Sequence, residues 1–133
     1  VIVAVSAHTN SAVATIDAPG LTLAPAASYD MLRGAVEQAR GAGKTVHVGS
    51  IYSSDFFYSS RTDLVPVLDR HGTLGVEMEA AGLYLIAAAH GKEALAVLTV
   101  SDHLKDGSGD LTSEERETMF ADSLGAAVAG LTA

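Results

Sequence analysis

Short apolar runs of strand length alternate along this chain with longer stretches in which apolar residues recur at helical spacing. That alternation confines the fold to an α/β architecture assembled from strand and helix in turn. The pattern predicts strands at residues 1–7, 45–52, 74–78 and 94–101, and helices at 29–42, 62–71, 79–90 and from 112 to about 130. Local chemistry marks the boundaries. Ser28 is the predicted N-cap of the first helix, whose apolar stripe is Met31, Leu32, Ala35, Val36 and Ala39, and Gly41 or Gly43 ends it. Pro66 sits in or near the first turn of the second helix, where a missing N–H costs little. Gly72 and Gly91 stop the second and third helices, and Thr112 with Glu115 has capping-box spacing at the start of the last. Residues 10–27 read mostly as loop, with a turn at Pro19-Gly20.

At 133 residues and 48% hydrophobic content, the chain is one domain or part of one. It opens directly in a strand, Val1-Ile2-Val3-Ala4-Val5, without an initiator Met, and this start in mid-sheet suggests a fragment spanning residues 1–133. A net charge of -8 with only eight Lys and Arg argues against nucleic-acid binding, because phosphate backbones require clustered cations. The longest apolar stretches, 80–89 and 94–100, are too short to span a bilayer, so no membrane partner is expected. The absence of cysteine excludes disulfides and thiolate metal sites and favours a cytoplasmic setting. The five histidines lack metal-ligand spacing, and no metal is assigned. Neither a Gly-x-Gly-x-x-Gly nor a Walker pattern is present, so nucleotide triphosphate binding gains no support.

Two acidic clusters follow predicted strands. Glu77 and Glu79 lie in Gly75-Val76-Glu77-Met78-Glu79-Ala80-Ala81-Gly82, and Asp102 lies in Thr99-Val100-Ser101-Asp102-His103. Ligands of open α/β sheets bind outside the carboxyl ends of strands, which makes both clusters candidates for a small-molecule site. Asp102 reads either as a turn or capping aspartate or as a catalytic acid. Arg116, one turn into the last helix, is either a solvated residue or the partner that sets the charge of Asp102. Glu79 is either a first-turn acid favoured by the helix dipole or, with Glu77 on the same face of an extended backbone, an acceptor for a vicinal diol such as that of ribose. The consecutive aromatics Phe56, Phe57 and Tyr58 supply either core or a stacking face for a planar ring.

These two motifs, with Ser54, Asp55, Phe57, Tyr58 and Ser59 upstream and Glu115-Arg116 downstream, resemble the bacterial, hexameric type of purine nucleoside phosphorylase. The likeness extends over nearly the whole chain, including Ala24-Pro25 and Tyr29-Asp30-Met31. It implies a three-layer sandwich with a central mixed β-sheet flanked by helices, incomplete at its N-terminal side. It implies phosphorolysis of purine nucleosides to free base and ribose 1-phosphate, with inorganic phosphate as co-substrate and no other cofactor. By the same resemblance Asp102 protonates purine N7 with help from Arg116, and Glu79 accepts the ribose hydroxyls. Met78 packs on the sugar, Phe57 stacks beside the base, Val76 and Glu77 line the pocket, and Ser101 borders the base. The family's glycine loop and arginines for phosphate belong to a part of its domain that this chain lacks, and its hexamer makes a homo-oligomer the expected assembly. Two other readings are a hydrolytic nucleosidase and a truncated, inactive chain that retains nucleoside binding or an assembly surface.

Overall fold

The computed structural model describes residues 1–106, 111–118 and 120–131. Four strands, β1 (Ile2–Thr9), β2 (His47–Ser53), β3 (Val76–Glu77) and β4 (Ala96–Leu98), form one sheet in the order β3-β2-β1-β4. β1, β2 and β3 run parallel, whereas β4 lies antiparallel on the far edge of β1. This is the mixed sheet expected. Five α-helices and a short 3₁₀ helix (Ala12–Ala14) accompany it among the described residues: α1 (Tyr29–Gly41), α2 (Leu64–Arg70), α3 (Ala80–Ala89), α4 (Ser113–Thr118) and α5 (Ala121–Leu131).

The two faces of the sheet follow from the alternation of side chains along β1. Val3 points to one face and packs with Ala35, Val36 and Ala39 of α1 and Ala126 of α5. Ile2 and Ala4 point to the other, where Ala80, Ala81 and Tyr84 of α3 and Ile51 of β2 meet them. Strict alternation would send Ala7 to the α1 face. The register instead slips between Ala4 and Ser6, leaving Val5 as an extra residue opposite β2, and the slip returns Ala7 to the α3 cluster. At the same point the edge partner of β1 changes. Ala4 pairs with Ala96 of β4, whereas beyond the slip Ala27 donates to Val5 at 2.9 Å and Ala7 donates to Pro25 at 3.2 Å. The result is the expected three-layer sandwich.

The predicted glycine stops are present at the ends of α1, α2 and α3. Past α3, Gly91 adopts φ 61°, its N–H donates to Ala88 and that of Lys92 to Ala87, which closes the helix in a Schellman turn. Other expectations need correction. Ser28 occupies the N-cap position of α1, but its hydroxyl donates to Glu93 Oε1 at 2.7 Å and caps nothing. Paired lengths of β3 and β4 are shorter than the apolar runs that announced them, because hydrophobicity reports burial and not ladder contacts. The last helix is two helices, with Phe120 in a turn between them. Its halves have separate anchors: Ser123 of α5 hydrogen-bonds Thr99 beyond β4 at 2.8 Å, while Arg116 of α4 reaches Asp102.

α5 crosses α1 closely at Gly130, where an added Cβ would lie 2.8 Å from the Met31 carbonyl oxygen and 3.1 Å from Leu95 Cδ2. A backbone carbonyl yields poorly. Gly130→Ala is therefore expected to cost about 1–3 kcal/mol through overpacking, against at most about 1 kcal/mol gained in helix propensity. Thermal unfolding checks it, and a Tm equal to or above that of the unaltered protein would show that the two helices separate freely.

Candidate functional site

At the end of the sheet where the three parallel strands finish, the chain gathers one group of candidate residues. Ser54 N–H donates to Glu77 O at 2.8 Å, and Asp55 N–H donates to Asn10 Oδ1 at 3.0 Å, so the loop after β2 is tied to the ends of both β3 and β1. That loop presents Phe56, Phe57 and Tyr58, whose exposures of 68%, 79% and 89% rule out the core reading. Phe57 and Tyr58 meet edge to face with ring centroids 4.9 Å apart. A cavity of about 160 Å³ lies beside them, lined in part by Asn10, Tyr52, Ser54, Phe56, Tyr58 and Arg61. Arg61 is held in a two-point pair with Asp63, Nε to Oδ1 at 3.2 Å and Nη2 to Oδ2 at 2.7 Å, and this pairing draws the Asp63 carboxyl below its ordinary pKa.

Val76, Met78 and Glu79 are exposed at the same end, at the passage from β3 into α3. Glu77 is turned inward. Its Oε2 accepts the N–H groups of Glu79 and Ala80, both at 2.7 Å, and its Oε1 accepts the hydroxyl of Ser53. The carboxylate of Glu79 accepts the Met78 N–H at 3.2 Å and otherwise faces outward.

Asp102, Ser101 and Arg116 form a second group. Arg116 Nη2 donates to Asp102 Oδ1 at 2.5 Å, and Ser101 Oγ donates to Oδ2 at 2.7 Å. Both carboxyl oxygens of Asp102 therefore accept a hydrogen bond. Arg116 is aimed by the predicted capping box, which is present: Thr112 N–H and hydroxyl donate to Glu115 Oε2 at 2.8 and 2.9 Å, and Glu115 N–H donates to Thr112 Oγ1 at 3.3 Å. The Thr112 N–H, and then its hydroxyl, hold the Glu115 carboxyl below its ordinary pKa. The box therefore persists as pH falls, until that lowered value is passed. Two further contacts lacked a signal in the sequence. Arg116 Nε donates to Leu111 O at 3.1 Å, and Lys105 pairs with Asp69 of α2 at 2.6 Å, which tethers the segment after Asp102. Thr99, Ser101, Leu111, Arg116 and Phe120 line a cavity of about 170 Å³. Neither cavity reaches the ~300 Å³ at which pockets begin to enclose a drug-sized ligand.

The structure does not bring the two groups together within this chain. Each acid follows the carboxyl end of its strand, as predicted, but β4 is antiparallel, so its exit lies at the end of the sheet where β1 begins. Leu98 is level with Ile2, while Glu77 is level with Ser53 and Thr9. At about 3.3 Å per residue, seven residues of β1 separate the two levels by roughly 20 Å. The alternation of elements could not reveal this, since helical crossovers ordinarily return a parallel strand.

Among the described residues no cluster of His, Asp and Glu could hold a metal ion, and no helix is long and apolar enough to cross a membrane. Comparison with known proteins matches residues 1–133 to the phosphorylase superfamily. The chain is 51% identical over 122 residues to a protein of Roseobacter denitrificans named purine nucleoside phosphorylase DeoD-type, covering 92% of this chain and 52% of that protein. A protein of the same name from Jannaschia is 51% identical over the same shares. One from Colwellia psychrerythraea is 44% identical over 124 residues, 93% of this chain and 53% of the relative. The chain thus spans about half the length of the curated relatives it matches.

Proposed function

Because the chain belongs to the phosphorylase superfamily, we propose that it supplies the base- and ribose-recognising elements of a purine nucleoside phosphorylase. The reaction is reversible transfer of a ribosyl or deoxyribosyl group from a purine to inorganic phosphate. The observation that carries the chemistry is the Asp102 carboxylate held between Arg116 and Ser101. A purine leaves C1′ poorly as an anion. Asp102, when protonated, donates its proton to N7 while the electrons of the C1′–N9 bond pass into the purine ring, and the base departs neutral. A phosphate oxygen forms the new bond to C1′. Arg116, 2.5 Å from the carboxyl, offsets the negative charge that appears on it during the transfer.

At the other end of the sheet, Glu79 accepts hydrogen bonds from the ribose hydroxyls, Met78 packs against the sugar, Val76 lines the pocket, and Phe57 stacks beside the base. Exposure of these side chains supports that reading. N7 and the ribose diol belong to one small molecule, so the two ends must act together on it. We assign that juxtaposition, the phosphate site and the homo-oligomer, a hexamer by family resemblance, to the complete protein in a cytoplasmic setting.

The decisive assay measures release of free base from inosine and adenosine by the complete protein, with and without inorganic phosphate. Phosphorolysis predicts that cleavage stops when phosphate is removed and that ribose 1-phosphate accumulates when it is present. Base release at an unchanged rate without phosphate would establish a hydrolytic nucleosidase instead.

A further inference from the structure

The entry to α3 divides two tasks between two glutamates. The first N–H groups of a helix have no partner within it and are ordinarily satisfied by the N-cap side chain, best a Ser, Thr, Asp or Asn. In α3 the N-cap residue is Glu79, and its carboxylate caps nothing. The work is done by Glu77, two residues earlier, whose Oε2 takes the N–H groups of Glu79 and Ala80. Ser53 completes the arrangement. Its hydroxyl donates to Glu77 Oε1, and its oxygen accepts the Ala81 N–H at 2.9 Å. Three successive amides are thereby held by two residues that face each other across the ladder between β2 and β3.

The consequence falls on Glu79. Its backbone sits at φ −127° and ψ −36°, neither strand nor helix, with its own N–H and the next fixed by Glu77. Its side chain is released from capping and stays exposed. A carboxylate that binds a diol must be aimed, because a site held loosely by even ~1 Å loses much of its effect.

We propose that Ser53 and Glu77 are positioning residues for the ribose. They fix the entry of α3 so that the carboxylate of Glu79, which accepts the Met78 N–H at 3.2 Å but caps no amide of the helix, is directed outward toward the hydroxyls. This rests on the reading of Glu79 as the diol acceptor. It also gives Glu77 a task different from lining the pocket. Ser53 is 4% exposed, so its influence on a substrate passes through Glu77 and the helix entry.

The test is a double-mutant cycle in the complete protein, with steady-state kinetics on a ribonucleoside and on its 2′,3′-dideoxy counterpart. Ser53→Ala is expected to raise KM for the ribonucleoside on the order of tenfold, about the worth of one charge-assisted hydrogen bond, with a smaller change in kcat. In a Glu79→Ala background the same substitution should add less than about twofold, because coupled residues are not additive. The dideoxynucleoside, which offers Glu79 no hydroxyl, should show no KM response to Ser53→Ala. A plain helix cap would behave otherwise, and equal factors in both backgrounds, or on both substrates, overturn the proposal. Glu79→Ala that leaves the ribonucleoside KM unchanged refutes the diol reading itself, a result visible in one arm of the cycle. Should Ser53→Ala fail to fold, Glu77→Gln, which keeps the volume and removes the charge, carries the same comparison.

Discussion

Asp102→Asn in the complete protein is expected to lower kcat for inosine by about 10²- to 10⁴-fold, the usual range for a positioned general acid. That corresponds to roughly 3–5 kcal/mol of lost transition-state stabilisation. The amide keeps the shape of the side chain and can still accept from Arg116, but it has no acidic proton for N7. A chemical control separates this loss from misplacement of the base. A purine nucleoside methylated at N7 already carries positive charge on its ring, so its base leaves neutral without an acid. Turnover of that substrate should fall by less than about tenfold in the variant. Equal losses on both substrates would mean that Asp102 places the base and does not protonate it, and unchanged turnover of inosine would remove Asp102 from the mechanism.

Much of this arrangement was legible in the sequence where local chemistry decides the outcome. Of the stripe Met31, Leu32, Ala35, Val36 and Ala39, the last three are buried as their spacing demands while Met31 and Leu32 are half-buried, and the box of Thr112 and Glu115 forms with every expected bond. Arg116 directly follows that box, so the helix start that brings it toward Asp102 is marked by a signal visible in the chain. Where the outcome depends on distant partners, the sequence was silent. The direction of β4 depends on its pairing with the free edge of β1, a strand far earlier in the chain. Ser123 of α5 is anchored by Thr99, outside the helix altogether. Glu77 and Glu79 share a face only if the strand continues, and the inward turn of Glu77 toward Ser53 ends it.

Burial was similarly divided. Aromatics usually mark core, yet Phe56, Phe57 and Tyr58 remain outside because the loop that carries them is tied at Ser54 and Asp55 to strand ends, beyond the last layer of side chains. Tyr84 is the reverse case. It lies in a helix so rich in Ala that the stretch reads as uniformly apolar, and its hydroxyl nonetheless bonds the backbone of both β1 and β4.

Tyr84→Phe is expected to destabilise the protein by about 2–4 kcal/mol, since it strands one buried and one part-buried backbone group at once. The Tyr84 hydroxyl donates to Ala4 O at 2.8 Å and accepts the Ala96 N–H at 3.0 Å. Those two residues are opposite each other across β1 and β4, so the phenol is interposed in the ladder itself. At ~2–4 °C per kcal/mol, Tm should fall by roughly 5–15 °C. The pH dependence gives an independent signature. Burial raises the pKa of this phenol above its ordinary value, aided weakly by the charge of Glu77 and opposed by the Ala96 N–H. Above about pH 10 the unfolded chain therefore loses this proton before the folded one does, and the folded state binds more protons. Its contribution to stability is complete below that pH and is lost as pH rises through the raised value. The unaltered protein should lose stability more steeply in that window than Tyr84→Phe, which lacks the group. Parallel alkaline slopes, or a Tm shift under about 2 °C, would show that the hydroxyl is dispensable. A large shift would identify the hydroxyl as a tie between the helix presenting Glu79 and the strand leading to Asp102, so that both ends of the site lean on this core contact.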